Sequence, residues 1–75
     1  MSERLDDAAR RYEEIAAELE RATAHAKVVA EHLREENVPR ASAHAWAVRG
    51  HLLEAQSRLD DQAREHARRS EPHAV

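Results

Sequence analysis

The sequence predicts an all-α fold, an antiparallel two-helix hairpin, on three observations. Apolar residues recur at alternating steps of three and four along most of the chain, an Asn37-Val38-Pro39 stretch interrupts them near the middle, and histidines mirror one another about that interruption. His25 and His32 stand before it and His44 and His51 after it, each pair seven residues apart. Composition agrees: 36% charged residues, 3% aromatics, one Gly and no Phe suit long solvent-laced helices better than a sheet. With 75 residues there is one domain at most, expected as a hairpin over 1–70 and a disordered C-terminal tail over 71–75. A chain this short usually needs a metal, a disulfide or self-association to hold a core, and the absence of cysteine excludes the disulfide.

The first helix is predicted over about 3–36. Ser2 followed by Glu3, Asp6 and Asp7 marks its start, a hydroxyl able to cap free N–H groups with acids near the positive end of the dipole. From Leu5 the apolar positions run Ala8, Tyr12, Ile15, Leu19, Ala22, Ala26, Val29 and Leu33, an unbroken heptad pattern that reads as a coiled-coil seam. Leu5, Tyr12, Leu19, Ala26 and Leu33 take the a positions and the residues between them the d positions. Asn37 is expected in the left-handed conformation that closes a helix, and Pro39 suits the first turn of the next. The second helix is predicted over about 40–69, with Ala41, Ala45, Val48, Leu52, Ala55 and Leu59 continuing the spacing.

Pairing a with d across an antiparallel seam sets Ile15 against Leu59, Leu19 against Ala55 and Ala22 against Leu52. One flank then carries Arg11 with Glu65, Glu18 with Arg58, His25 with His51 and His32 with His44. The other carries small residues, including Ala9, Ala16 and Ala30. Beyond that small flank, Trp46 and Leu53 form an apolar ridge with Gly50 as a notch beside it. These six residues, Trp46, Gly50, Leu53, Ala9, Ala16 and Ala30, are the predicted interface of a homodimer, which would form a four-helix bundle. Another helical protein is the alternative partner.

The histidine ladder carries the second reading. Imidazoles facing across a hairpin can share a Zn or Ni ion, and Glu35 after His32 and Glu54 after His51 stand at the helical spacing of a third ligand. The candidate metal ligands are therefore His25, His51, His32, His44, Glu35 and Glu54, in two separate sites, because seven residues of helix span roughly 10 Å. The same ladder could respond to pH without any metal, since histidine titrates near pH 6.5 and juxtaposed imidazolium ions repel. The expectation without these extras is that no cofactor is bound.

Other chemistry finds little support. No Gly-rich phosphate loop, no Cys nucleophile and no serine with a base and an orienting partner is present, so the chain is not expected to be an enzyme. Arg58, Arg64, Arg68 and Arg69 give the end of the second helix a basic cast that a nucleic-acid-binding hairpin would use, but interspersed acids, a net charge of −3 and scarce aromatics argue against phosphate affinity. There is no long apolar run for a membrane and no leader-like segment, which makes a cytoplasmic location the expectation. The stretch Arg49-Gly50-His51-Leu52-Leu53-Glu54-Ala55 resembles the inter-helix turn and second-helix start of a tetratricopeptide repeat, which implies a break at Gly50. A break would destroy the mirror register, so a straight second helix is the adopted reading. The predicted function is a small, non-catalytic, homo-oligomeric helical hairpin serving as a structural or protein-interaction module.

Overall fold

In the computed structural model, which describes residues 2–70, the chain is two helices of equal length: α1, Glu3–Arg34, and α2, Val38–Arg69. They pack against each other as an antiparallel hairpin. The predicted tail at 71–75 lies outside the described residues. Both helices reach within two residues of their predicted ends; α1 stops two residues early and α2 starts two residues early.

Ser2 stands at the N-cap of α1 in extended conformation, but its hydroxyl makes no capping bond there. Only its carbonyl takes part, accepting from the Asp6 amide at 3.1 Å. Glu3 and Asp6 supply the negative charge that the first turn favours, and His32 and Arg34 the basic groups that suit the last.

The turn corrects one expectation. Glu36, not Asn37, takes the left-handed conformation, with φ 59°. The Asn37 amide donates to the His32 carbonyl at 2.7 Å and the Glu36 amide to the Leu33 carbonyl at 3.0 Å, the paired bonds of a Schellman closure. Asn37 is already committed to the next helix: its side-chain oxygen accepts from the Arg40 amide at 3.3 Å and its carbonyl from the Ala41 amide at 3.1 Å. A side chain capping α2 needs its own backbone outside the left-handed region, so the strained position moves back to Glu36. Pro39 lies in the first turn of α2, where its missing N–H is not needed.

α2 runs through Gly50 without a break, so the bend implied by the tetratricopeptide likeness does not occur. A Cβ added at Gly50 would meet nothing within 4 Å.

The seam between the helices also departs from the predicted register. The a positions are not in it: Leu5, Tyr12, Leu19 and Leu33 are 43% to 54% exposed, and Leu52 and Leu59 of α2 are likewise exposed. Buried or half-buried along the seam instead are Ala8, Ile15, Glu18, Ala22, His25, Val29 and His32 of α1, and Ala41, His44, Val48, His51, Ala55, Arg58, Gln62 and Glu65 of α2; off these rows, Ala17, Val28, Ala30, Ala47 and Asp60 are also half-buried. Each helix is thus turned so that its d and g rows, rather than a and d, meet the neighbour. The cause is size. Ala22, Ala41 and Ala55 are nearly fully buried and let the backbones approach, whereas a seam of Leu and Tyr would hold them apart. Ile15 is the one large aliphatic side chain below a tenth exposed, and such burial is worth only about 1.5–3 kcal/mol.

Candidate functional site

Two features emerge from this arrangement, a polar ladder within the seam and an apolar face beside it. The ladder is built by the mirror. His25 and His32 project from α1, His44 and His51 from α2, and the antiparallel pairing interleaves them in the order His51, His25, His44, His32. Successive ring centroids are 5.4, 5.2 and 5.5 Å apart, with interplanar angles of 18°, 34° and 27°. The predicted facing pairs, His25 with His51 and His32 with His44, are therefore neighbours, and His25 with His44 joins them into one column.

Hydrogen bonding fixes much of the proton arrangement. The Nδ1 atoms of His25 and His44 lie 3.0 Å apart, so one must donate and the other accept. Two neutral rings satisfy this only as different tautomers at Nδ1. His51 Nδ1 lies 2.8 Å from Glu18 Oε2, and since a carboxylate can only accept, His51 carries its proton there. Glu18 is buried and its other oxygen accepts from Arg21 Nη1 at 2.8 Å. The His51 hydrogen bond, reinforced by the charges of Arg21 and Arg58 and opposed by partial desolvation, holds the Glu18 carboxyl below its ordinary pKa. At the turn end, His32 Nδ1 is buried without a hydrogen-bond partner, with Glu35 Oε1 at 3.8 Å.

These contacts show what surrounds the predicted ligands. Glu54 pairs with Arg58 Nε at 3.2 Å, and Arg58 also pairs with Glu14. Glu18, expected to face Arg58, is instead the carboxylate at the foot of the ladder. Glu65 pairs with Arg68 and Arg69 rather than with Arg11, and those two guanidinium groups keep its carboxyl below the ordinary value. Near-parallel stacking aims the ring-plane lone pairs of His25 and His51 side by side rather than at one shared point. Among the described residues, no three His, Cys, Asp or Glu side chains are grouped to hold a metal ion.

The second feature follows from helix geometry. In α1 the exposed apolar residues Tyr12, Leu19 and Leu33 stand four positions after the seam residues Ala8, Ile15 and Val29. In α2, Ala45, Leu52 and Leu59 stand four positions after Ala41, Val48 and Ala55. Antiparallel partners reverse both the direction of travel and the side from which the seam is seen, so equal offsets fall on one side of the layer. Leu5 and Val38, three positions before Ala8 and Ala41, extend the two rows. Seven of the nine large apolar side chains left exposed, Leu5, Tyr12, Leu19, Leu33, Val38, Leu52 and Leu59, therefore share one face. The opposite face carries Asp7, Glu14, Arg21, Glu35, Arg40, Glu54, Asp61 and Arg68 at the mirrored offset, with half-buried Val28 and Ala47 between them.

The predicted interface residues divide around this face. Ala9, Ala16 and Ala30 adjoin the α1 row and border it with small groups. Trp46, 73% exposed, and Leu53, 57% exposed, stand on the back of α2, away from the hairpin partner, with Gly50 on the same outer side. The missed signal lay in side-chain size. The d row is mostly Ala and Val and the a row mostly Leu and Tyr, which marks a tight first contact and a bulkier second one.

Site and fold together define a one-layer helical hairpin, apolar on one side and charged on the other, with imidazoles in its seam. In comparisons with protein-family models, curated proteins and solved structures, nothing matched this chain.

Proposed function

We propose that this chain is a non-catalytic, self-associating helical hairpin that serves as a structural or protein-interaction module, with a second copy or another helical protein on its apolar face. The observation that carries the reading is the asymmetry of the layer. Leu5, Tyr12, Leu19, Leu33, Leu52 and Leu59 stay exposed on one face while the charged side chains gather on the other, and a helical layer of that kind buries its apolar side against another layer. Self-association also answers the thin seam, in which Ile15 and three alanines are the buried apolar residues. Sedimentation equilibrium over a hundredfold range of concentration tests this. A dimer supports it, and a monomer throughout sinks it.

A second reading has a specific observation in its favour, the 3.0 Å Nδ1-to-Nδ1 contact within a column of four imidazoles. Such a contact needs one proton between its two nitrogens; a pH-responsive column is one version of this reading, and Zn or Ni in place of that proton is the metal version. Titration with Zn²⁺ or Ni²⁺ while following the melting temperature separates the two. No shift ends the metal version, and neither does it survive if the His25, His32, His44 and His51 to Gln variant shifts equally.

The nucleic-acid reading is weakened by the ion pairs. Arg58, Arg64, Arg68 and Arg69 each have a carboxylate partner, respectively Glu14 with Glu54, Asp61, Glu65 and Glu65. Paired guanidinium groups offer phosphate little net charge. No helix among the described residues is long and apolar enough to cross a membrane.

A further inference from the structure

We infer that the apolar face binds a second copy of the chain turned end over end, the two-fold axis crossing both helices near Leu19 and Leu52, so that Tyr12 and Leu59 of one protomer fill the shallow stretch at Ala26 and Ala45 of the other. This rests on the self-association proposed above and adds its geometry.

The amount of exposed surface leaves room for a partner of this size. A compact protein of 8.5 kDa exposes about 4,700 Å². This hairpin exposes 6061 Å², an excess of roughly 1,400 Å² over that scaling. A standard interface takes about 800 Å² from each partner and obligate dimers take more, so a matching face on a second copy is sufficient to cover the surplus. The border of the face also permits close approach. Ala9, Ala16, Thr23 and Ala30 flank it on α1 and Ser42, Arg49, Gln56 and Ala63 on α2, with Arg49 the single charged residue among them.

The orientation follows from the order of side-chain sizes. Counted in the register set by the histidine contacts, the face has five levels about 10 Å apart. From the termini toward the turn they are Leu5 with His66, Tyr12 with Leu59, Leu19 with Leu52, Ala26 with Ala45, and Leu33 with Val38. The bulky level at Tyr12 and the shallow level at Ala26 lie symmetrically about the middle one. Turning a copy end over end sets α1 on α1 and α2 on α2, antiparallel, and exchanges those two levels. Tyr12 then meets the partner's Ala26, Leu59 meets the partner's Ala45, and Leu19 and Leu52 meet their own equivalents at the axis. A two-fold axis along the helices would instead stack Tyr12 on Leu59 and Ala26 on Ala45, crowding one level and leaving a void at the other. Close packing disfavours both of those defects, which selects the end-over-end pairing.

The chain has no cysteine, so single cysteines report contacts between copies without ambiguity. Pairs of single variants are mixed and oxidised. Tyr12→Cys with Ala26→Cys, and Leu59→Cys with Ala45→Cys, are expected to cross-link at least tenfold faster than Tyr12→Cys with Leu59→Cys or Ala26→Cys with Ala45→Cys. The reverse preference overturns the orientation but leaves self-association standing, whereas a monomeric wild type overturns both. A dimer in which none of these pairs cross-links overturns the face. Size exchange provides a check that does not depend on oxidation. Ala26→Tyr alone should weaken the dimer at least tenfold, and Tyr12→Ala added to it should restore most of the loss. A tighter dimer from Ala26→Tyr alone would mean that Ala26 faces a void, contrary to this pairing.

Discussion

Glu36 is the one non-glycine residue with a positive φ among the described residues, held at 59° because Asn37 is occupied in capping α2. A residue with a Cβ loses about 1–2 kcal/mol in that conformation, and glycine loses almost none of it. Glu36→Gly also removes a negative charge from the negative end of α1. It should stabilise the hairpin by about 1 kcal/mol and raise the melting temperature by about 4–8 °C, read by circular dichroism. Glu18 sets the response to acid. Its folded pKa is depressed, chiefly by the His51 hydrogen bond and then by Arg21 and Arg58, so ionised Glu18 favours the folded state above the ordinary carboxylate range. That contribution is lost as pH falls through the depressed value, and Glu65, held down by Arg68 and Arg69, adds a loss of the same sign. Urea unfolding from neutral pH to about pH 3 should therefore show stability declining below about pH 4. Glu18→Gln should be less stable at neutral pH and show a shallower decline. An unchanged slope would mean that the Glu18 contacts do not form in solution.

At the scale of the helices, Gly50 separates two accounts of the back of α2. Its site is helical and open, so Gly50→Ala should gain about 1 kcal/mol in helix propensity and melt several degrees higher. If the ridge of Trp46 and Leu53 seats a partner with Gly50 as its notch, the same change would weaken association and offset the gain. Measuring melting temperature and dimer affinity on one variant decides between them. The helices were legible in the sequence because heptad spacing, an acidic start and an Asn-Val-Pro turn all act locally. So was the mirror of His25 and His32 with His51 and His44, which any antiparallel pairing of these helices preserves. Rotation about each helix axis was not legible. An a and d seam and a d and g seam use the same spacing, and choosing between them depends on how closely Ala22, Ala41 and Ala55 let two backbones approach. The Glu18 to His51 contact was hidden for the same reason, since a small rotation exchanges Arg58 for an imidazole. Glu36 escaped because the choice of left-handed residue depends on which neighbour caps the following helix, and Asn37 can do either.

At the scale of the molecule, the exposed apolar row is where stability and association become one quantity. The seam buries Ile15 and small side chains, and in the proposed dimer the covering of Leu19, Leu52 and Tyr12 would offset part of what ordering two 32-residue helices costs. If the chain pairs through this face as proposed, folding is coupled to dimerisation, and the melting temperature should rise with protein concentration. Each tenfold increase shifts the association balance by about 1.4 kcal/mol. A two-fold interface counts every substitution twice. Leu52→Ala therefore removes two leucines from the dimer and, at about 2–5 kcal/mol for each if well buried, should lower affinity by well over a hundredfold. Trp46→Ala, on the back of α2, should leave affinity within a fewfold of wild type. Sedimentation of both variants beside the wild type reads this directly. If Trp46→Ala dissociates the dimer and Leu52→Ala does not, the ridge of Trp46 and Leu53 is the interface. The Leu and Tyr rows would then be left for a different helical partner, and a second copy could no longer be what covers them.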